Sequence, residues 1–119
     1  ENRADIISGL DLVDEPDEVT DILIDLAQRE TKNFSVRFAK QLVSAMSGEL
    51  RLNHNPHRYA GFRVLKAPDV PSVLIELGYM SNVRDVKEMT SKGWRKKAAD
   101  SIGAALDAYF TTRFAGTGN

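Results

Sequence analysis

The sequence predicts a helix-rich α/β fold, and three observations carry that prediction. Apolar residues recur at helical spacing near 15–29, 33–47 and 93–113. The run 72–77 is apolar or small, apart from its carboxylate, and its apolar positions do not alternate, which is the pattern of a strand buried on both faces. A second short run, Phe62, Arg63, Val64 and Leu65, reads as a strand that pairs with it. Two such strands among four or five helices do not complete an α/β layer structure, and they would leave open edges. The chain is therefore expected to be a portion of a larger domain, to assemble with other copies or chains, or to exchange elements with them.

The composition narrows the function classes. The 119 residues give room for one modest domain or part of one. A net charge of −1 argues against a broad basic surface for nucleic acid. The absence of cysteine removes disulfides, thiolate nucleophiles and cysteine zinc sites, and it leaves the redox compartment open. No apolar run approaches the ~20 residues of a membrane span, and neither a signal peptide nor an internal repeat is visible.

Residues 1–7 are helix-compatible but have no cap before them, and Ser8-Gly9 ends the segment, so it reads as the tail of a helix. An acidic loop, 10–16, follows. The next helix starts at about Glu15, with Asp14 as cap, Pro16 tolerated in the first turn and Asp17 favourable to the helix dipole. Val19, Ile22, Leu23, Leu26 and Ala27 form one apolar stripe, and Ile24 lies off it. Two readings of Ile24 stand side by side. It is a stray exposed apolar residue, or it belongs to a second, acid-fringed spot that meets a partner.

A polar stretch, 28–33, leads into a helix that runs to about Ser47 and stops at Gly48. Phe34, Phe38, Leu42 and Ala45 make one face, widened by Val36, Ala39, Val43 and Met46, so this helix is buried on more than one side. No proline or glycine separates it from the helix before it, and the two could form one rod. The loop 49–61 holds both histidines. Their His-x-x-His spacing invites a metal reading, but Pro56 disfavours the helix that would set His54 and His57 on one face; otherwise this is a polar surface loop. Six residues, with Pro68 and Pro71, connect the two strands, which excludes a two-residue hairpin. Asn82 caps a short helix over 83–90, with Asp85 in its first turn, and Ser91 and Gly93 break it. The last helix, from near Gly93 to about Arg113, buries Trp94, Ala98, Ile102, Ala105 and Tyr109, with Leu106 and Phe110 broadening the stripe. Arg95, Lys96 and Lys97 read as a solvated face or as a patch for an anionic polymer. Residues 116–119 form a tail.

The chemistry concentrates at Glu76, at the mouth of the expected buried strand. A carboxylate there is paired, metal-bound or working, unless it simply reaches solvent at the strand end. No GxSxG elbow or cysteine supports nucleophilic catalysis.

The run from Lys66 to Asn82, KAPDVPSVLIELGYMSN, resembles the C-terminal signature of the zinc-dependent N-acetylmuramoyl-L-alanine amidases, of the Amidase_3 type. Within them it is closest to the division-septum type of Gram-negative bacteria. The likeness extends more weakly from Asn2-Arg3-Ala4-Asp5 to the helix ending near Phe110. It implies that 1–119 is the C-terminal part of one amidase catalytic domain, a mixed sheet in a three-layer α/β arrangement. Residues 10–48 would be a regulatory helical insertion, and 60–114 would carry the catalytic-motif strands and C-terminal helices.

It further implies a periplasmic peptidoglycan hydrolase that cuts the amide between N-acetylmuramic acid and L-alanine during daughter-cell separation. Glu76 would be the general base, taking a proton from zinc-activated water and passing it to the leaving nitrogen. The zinc ligands, two histidines and a glutamate, are expected in the N-terminal half of the domain, upstream of Glu1. The helix at 15–29 would dock into a LytM-domain activator through Glu18, Asp21, Ile24 and Asp25, and an acid, Glu1, Glu15 or Glu18, would block the zinc until activation. By itself the chain is expected to be inactive. In the other reading it is a non-catalytic interaction fragment whose acidic helix is its active part.

Overall fold

A computed structural model describes residues 17–115. Three helices stand among the described residues: α1 (Asp17–Ser47), α2 (Val83–Thr90) and α3 (Lys92–Ala115), with a 3-10 turn at Arg63–Leu65. The expected helix over 1–7, the acidic loop with its Asp14 cap, and the 116–119 tail lie outside the described residues.

The two apolar segments before Gly48 form one uninterrupted helix of 31 residues. No proline removes a hydrogen bond and no glycine loosens the backbone between them. The helix closes where the Glu49 and Leu50 N–H groups both donate to the Met46 carbonyl, at 3.1 and 2.8 Å. One of the last-turn acceptors is satisfied in this way.

The chain divides into two compact units, which share α1. The first comprises 17–35 and 61–72. Here Thr20, Leu23, Ile24, Ala27, Thr31, Phe34 and Ser35 are half-buried, while Val19, Ile22 and Leu26 are exposed, the last two by 59% and 56%. This corrects the expected stripe. Steps of three and four back from Phe34 and Ser35 pass through Thr31, Ala27, Ile24, Leu23 and Thr20. An unbroken helix keeps that phase, so Ile24 turns inward and Ile22 and Leu26 turn out. Ser35 Oγ donates to the Thr31 carbonyl (3.0 Å) and accepts the Ser72 N–H (2.9 Å), which ties the end of the 61–72 segment to the helix.

The second unit comprises 36–60 and 73–115 of the described residues. Its core is Met46, Leu50 and Ala98, with Leu52, Ile75, Trp94 and Ile102 packed against them. Leu42, Ala105 and Tyr109 are buried too, and the Phe38 and Tyr109 rings meet at 5.2 Å. The α3 stripe is the expected one, with Ser101 also buried. Leu106 and Phe110, expected to broaden it, are exposed. Phe110 stands edge-on to Tyr109 at 5.3 Å and stacks with Phe114 at 6.2 Å.

Ser91 alone separates α2 from α3. Its N–H donates to the Glu88 carbonyl (2.9 Å), and its Oγ accepts the Trp94 N–H (3.3 Å) as a cap for α3. Ser91 alone thus makes the break expected of Ser91 and Gly93, and Gly93 lies in the first turn of α3. Arg95 Nη1 donates to the Met89 and Thr90 carbonyls, at 3.2 and 2.7 Å, satisfying acceptors at the end of α2. Lys96 pairs with Asp100 at 2.6 Å. Two members of the basic triplet thus have local partners.

Neither expected strand forms. Arg63–Leu65 is a 3-10 turn, in which the Leu65 N–H donates to the Phe62 carbonyl (3.0 Å). Residues 72–77 are irregular, and no strand occurs among the described residues. Strands are stable through their ladders, and two short ones are marginal even when paired. Leu74 and Leu77 are exposed by 51% and 47%, so the expected burial on both faces does not occur; Ile75 packs on the core.

Candidate functional site

The segment 75–82 is fixed against the second unit at several points. Ile75 enters the core. Glu76 follows and is exposed to solvent. Gly78 passes close to α2: a Cβ there would come within 3.1 Å of Asp85 Cβ and 3.4 Å of the Met89 side chain. The Tyr79 N–H donates to Asp85 Oδ2 at 3.1 Å, and its carbonyl accepts the Asn82 N–H at 3.0 Å, closing a turn. Asn82 then caps α2 as expected. Its Oδ1 accepts the Arg84 and Asp85 N–H groups, at 3.0 and 3.1 Å.

Asp85 joins this turn to the loop after α1. Arg51 Nη2 donates to Asp85 Oδ1 at 2.7 Å and to Glu88 Oε2 at 3.1 Å; Arg51 Nε reaches Glu88 Oε1 at 3.4 Å. Arg84 stands 3.4 Å from Glu88 Oε1. The Tyr79 N–H, and after it the Arg51 guanidinium, hold the Asp85 carboxyl below its ordinary pKa. Arg51 is held above its own ordinary value by hydrogen bonds to Asp85 and Glu88.

The histidine loop is organised by its own polar groups. Asn53 Oδ1 accepts the Asn55 N–H (3.0 Å) and Arg58 Nη2 (3.2 Å), and Arg58 Nε donates to the Asn55 carbonyl (3.1 Å). His54 is exposed, and the His57 ring lies 4.7 Å from that of Tyr59. Among the described residues no group of three or more His, Cys, Asp or Glu side chains could hold a metal ion. The donor set of the described residues therefore does not by itself fit zinc.

The structure thus brings Glu76 onto a segment held by Asp85, Arg51 and the Met46–Leu50–Ala98 core. Glu18, Asp21 and Asp25 are exposed along α1 in the first unit, and Ile24 is half-buried there. Arg51 was not legible as a site residue. It lies 34 residues from Asp85 in sequence, and no local spacing links them.

A family profile described as N-acetylmuramoyl-L-alanine amidase matches residues 8–108, which include the whole 66–82 run. The chain belongs to the N-acetylmuramoyl-L-alanine amidase family. It is similar to the N-acetylmuramoyl-L-alanine amidase AmiC of Escherichia coli O6:H1, with 33% identity over 92% of this chain and 26% of that protein. The amidase AmiA of Escherichia coli K12 is 30% identical over 92% of this chain and 38% of its own length. AmiC of Neisseria meningitidis serogroup B is 32% identical over 94% of this chain and 27% of its own. The chain thus spans 26–38% of the length of these amidase relatives.

Proposed function

We propose that the protein is a peptidoglycan hydrolase that cleaves the amide between N-acetylmuramic acid and L-alanine in the periplasm, during cell-wall remodelling and daughter-cell separation, with Glu76 as general base. The observation that most supports this reading is the family match across 8–108, which carries the Glu76 motif within it. The exposed carboxylate on a segment fixed at Ile75 and Tyr79 suits the role. It is open to water and substrate, and the backbone around it is held. Glu76 would accept a proton from the attacking water and return it to the departing nitrogen. The family's zinc would be held by side chains beyond the described residues.

In this reading the amidase domain is a mixed-sheet, three-layer α/β structure in which 72–77 gains ladder partners. Residues 60–114 carry the catalytic motif and 10–48 are a regulatory insertion. The test is Glu76→Gln in the full-length protein. Peptide release from peptidoglycan should fall about 10²- to 10⁴-fold with fold and metal content retained; near wild-type turnover would reject the role.

A specific observation also favours an activator-docking role for α1. Val19, Ile22 and Leu26 are apolar, exposed and spaced at helical intervals, among the acids Glu18, Asp21 and Asp25. An amphipathic helix laid in a groove draws affinity from such anchors and specificity from the charges around them. We assign the partner as a LytM-domain activator, with Ile22 and Leu26 in the anchoring place expected of Ile24. Titrating a purified activator against Leu26→Asp tests this; unchanged affinity would exclude the face.

A further inference from the structure

We infer that Asp85, held by Arg51, is a positioning residue for Glu76: it fixes the Gly78–Tyr79 backbone and thereby the place from which the Glu76 side chain is presented. This rests on the reading of Glu76 as general base.

Glu76 itself is exposed, and among the described residues no side chain hydrogen-bonds to its carboxylate. Its placement therefore comes from its backbone, and past residue 77, beyond any ladder formed by 72–77, that backbone is held by side-chain contacts. Two anchors bracket it. Ile75 is seated in the core one residue before. On the other side the Tyr79 N–H, three residues on, donates to Asp85 Oδ2. That acceptor is the polar anchor of the segment on the α2 side.

Asp85 is well suited to the task. It sits in the first turn of α2, below the Asn82 cap, so its own backbone is rigid. Its side chain is 14% exposed, against 44% for Arg51. One carboxylate oxygen takes the Tyr79 N–H and the other takes Arg51 Nη2, so the guanidinium fixes the rotamer that meets Tyr79. Arg51 is oriented in turn by Glu88, one helical turn along α2. Gly78 lets the segment come this close, since a methyl there would press on Asp85 Cβ.

The experiment compares Glu76→Gln, Asp85→Ala, Asp85→Asn, Arg51→Ala and Gly78→Ala in the full-length protein. Melting temperature is read beside kcat and KM on a soluble muramoyl-peptide. Misplacement of a catalytic group by about 1 Å costs on the order of 10²-fold. Asp85→Ala, which deletes the acceptor, should lose about 10- to 100-fold in kcat with little change in KM. Asp85→Asn keeps an acceptor oxygen for Tyr79 and should stay within about threefold in kcat, and Arg51→Ala, which frees the Asp85 rotamer, should fall between Asp85→Asn and Asp85→Ala, although both lose the ion pair and melt lower. A merely structural ion pair would instead make kcat follow melting temperature through the series. Gly78→Ala, which displaces the segment without removing a polar group, should reproduce the kcat loss and carries the test if Asp85→Ala does not fold. Wild-type kcat in both Asp85→Ala and Gly78→Ala, with Glu76→Gln inactive, overturns the positioning role alone. Wild-type turnover by Glu76→Gln overturns the reading on which it rests.

Discussion

Asp85 divides its two carboxylate oxygens between a backbone N–H and a guanidinium, and this gives it a pH signature. Both partners favour the charged form, so its folded pKa lies below the unfolded one. A depressed carboxyl contributes stability that is fully present above its unfolded pKa and is lost as pH falls through the folded value. The charged groups around it are Arg51, Arg84 and Glu88. Asp85→Asn should therefore flatten the acid limb of the stability–pH curve, with the difference from wild type shrinking as pH drops below about 4. Denaturation midpoints from pH 2 to 7 would check it, and parallel curves would show that Asp85 has no such coupling. At this scale the sequence was informative where chemistry and motif coincide, as at Glu76 and the Asn82 cap. It was silent on Arg51, because a salt bridge across 34 residues depends on tertiary placement and leaves no periodic trace.

Helices were legible because their signals are local. Asn82 before a run with Asp85 in its first turn defines α2, and Trp94 to Tyr109 at helical spacing defines the buried side of α3. Removing the cap by Asn82→Ala should cost about 1 kcal/mol, measurable by urea denaturation, because two N–H groups lose their acceptor. Rotation of α1 was less legible. Five apolar residues between Val19 and Ala27 fit a stripe of their own, but a helix continuous through Phe34 has one phase, and that phase puts Ile22 and Leu26 outside. The consequence is a reversed pair of outcomes. Leu26→Asp should change the melting temperature little, whereas Ile24→Asp, on the half-buried side, should destabilise by about 1–3 kcal/mol. A thermal melt of both variants decides the phase: if Leu26→Asp proves the more damaging, α1 is rotated from the arrangement described. No strand forms at 62–65 or 72–77 because a strand is a pairing, and these segments carry the residues of strands without partners among the described residues.

For the whole molecule the informative feature is where apolar side chains stay in water. Leu74, Leu77, Tyr79, Met80 and Val83 are all exposed within ten residues around Glu76. Fully burying one such side chain contributes about 1.5–3 kcal/mol, while a domain's net stability is only about 5–15 kcal/mol. Leaving several of them in water is thus a large fraction of what holds a domain folded, and a cluster of them is the mark of a covered surface. The matched region is only 26–38% of the length of the amidase relatives. We propose that further sequence of the amidase domain covers this surface and supplies the metal ligands, so that the Glu76 segment is completed only in the assembled domain. The 119-residue chain produced alone should then bind a hydrophobic dye and release no peptide from peptidoglycan with zinc added, whereas the full-length protein should bind little dye and be active. Replacing Leu77 and Met80 with serine should lower dye binding by the isolated chain, because the exposed apolar surface shrinks, yet destabilise the full-length protein, in which those side chains are buried. Dye binding that stays unchanged on both substitutions, or turnover by the isolated chain at the full-length rate, would place the covered surface elsewhere.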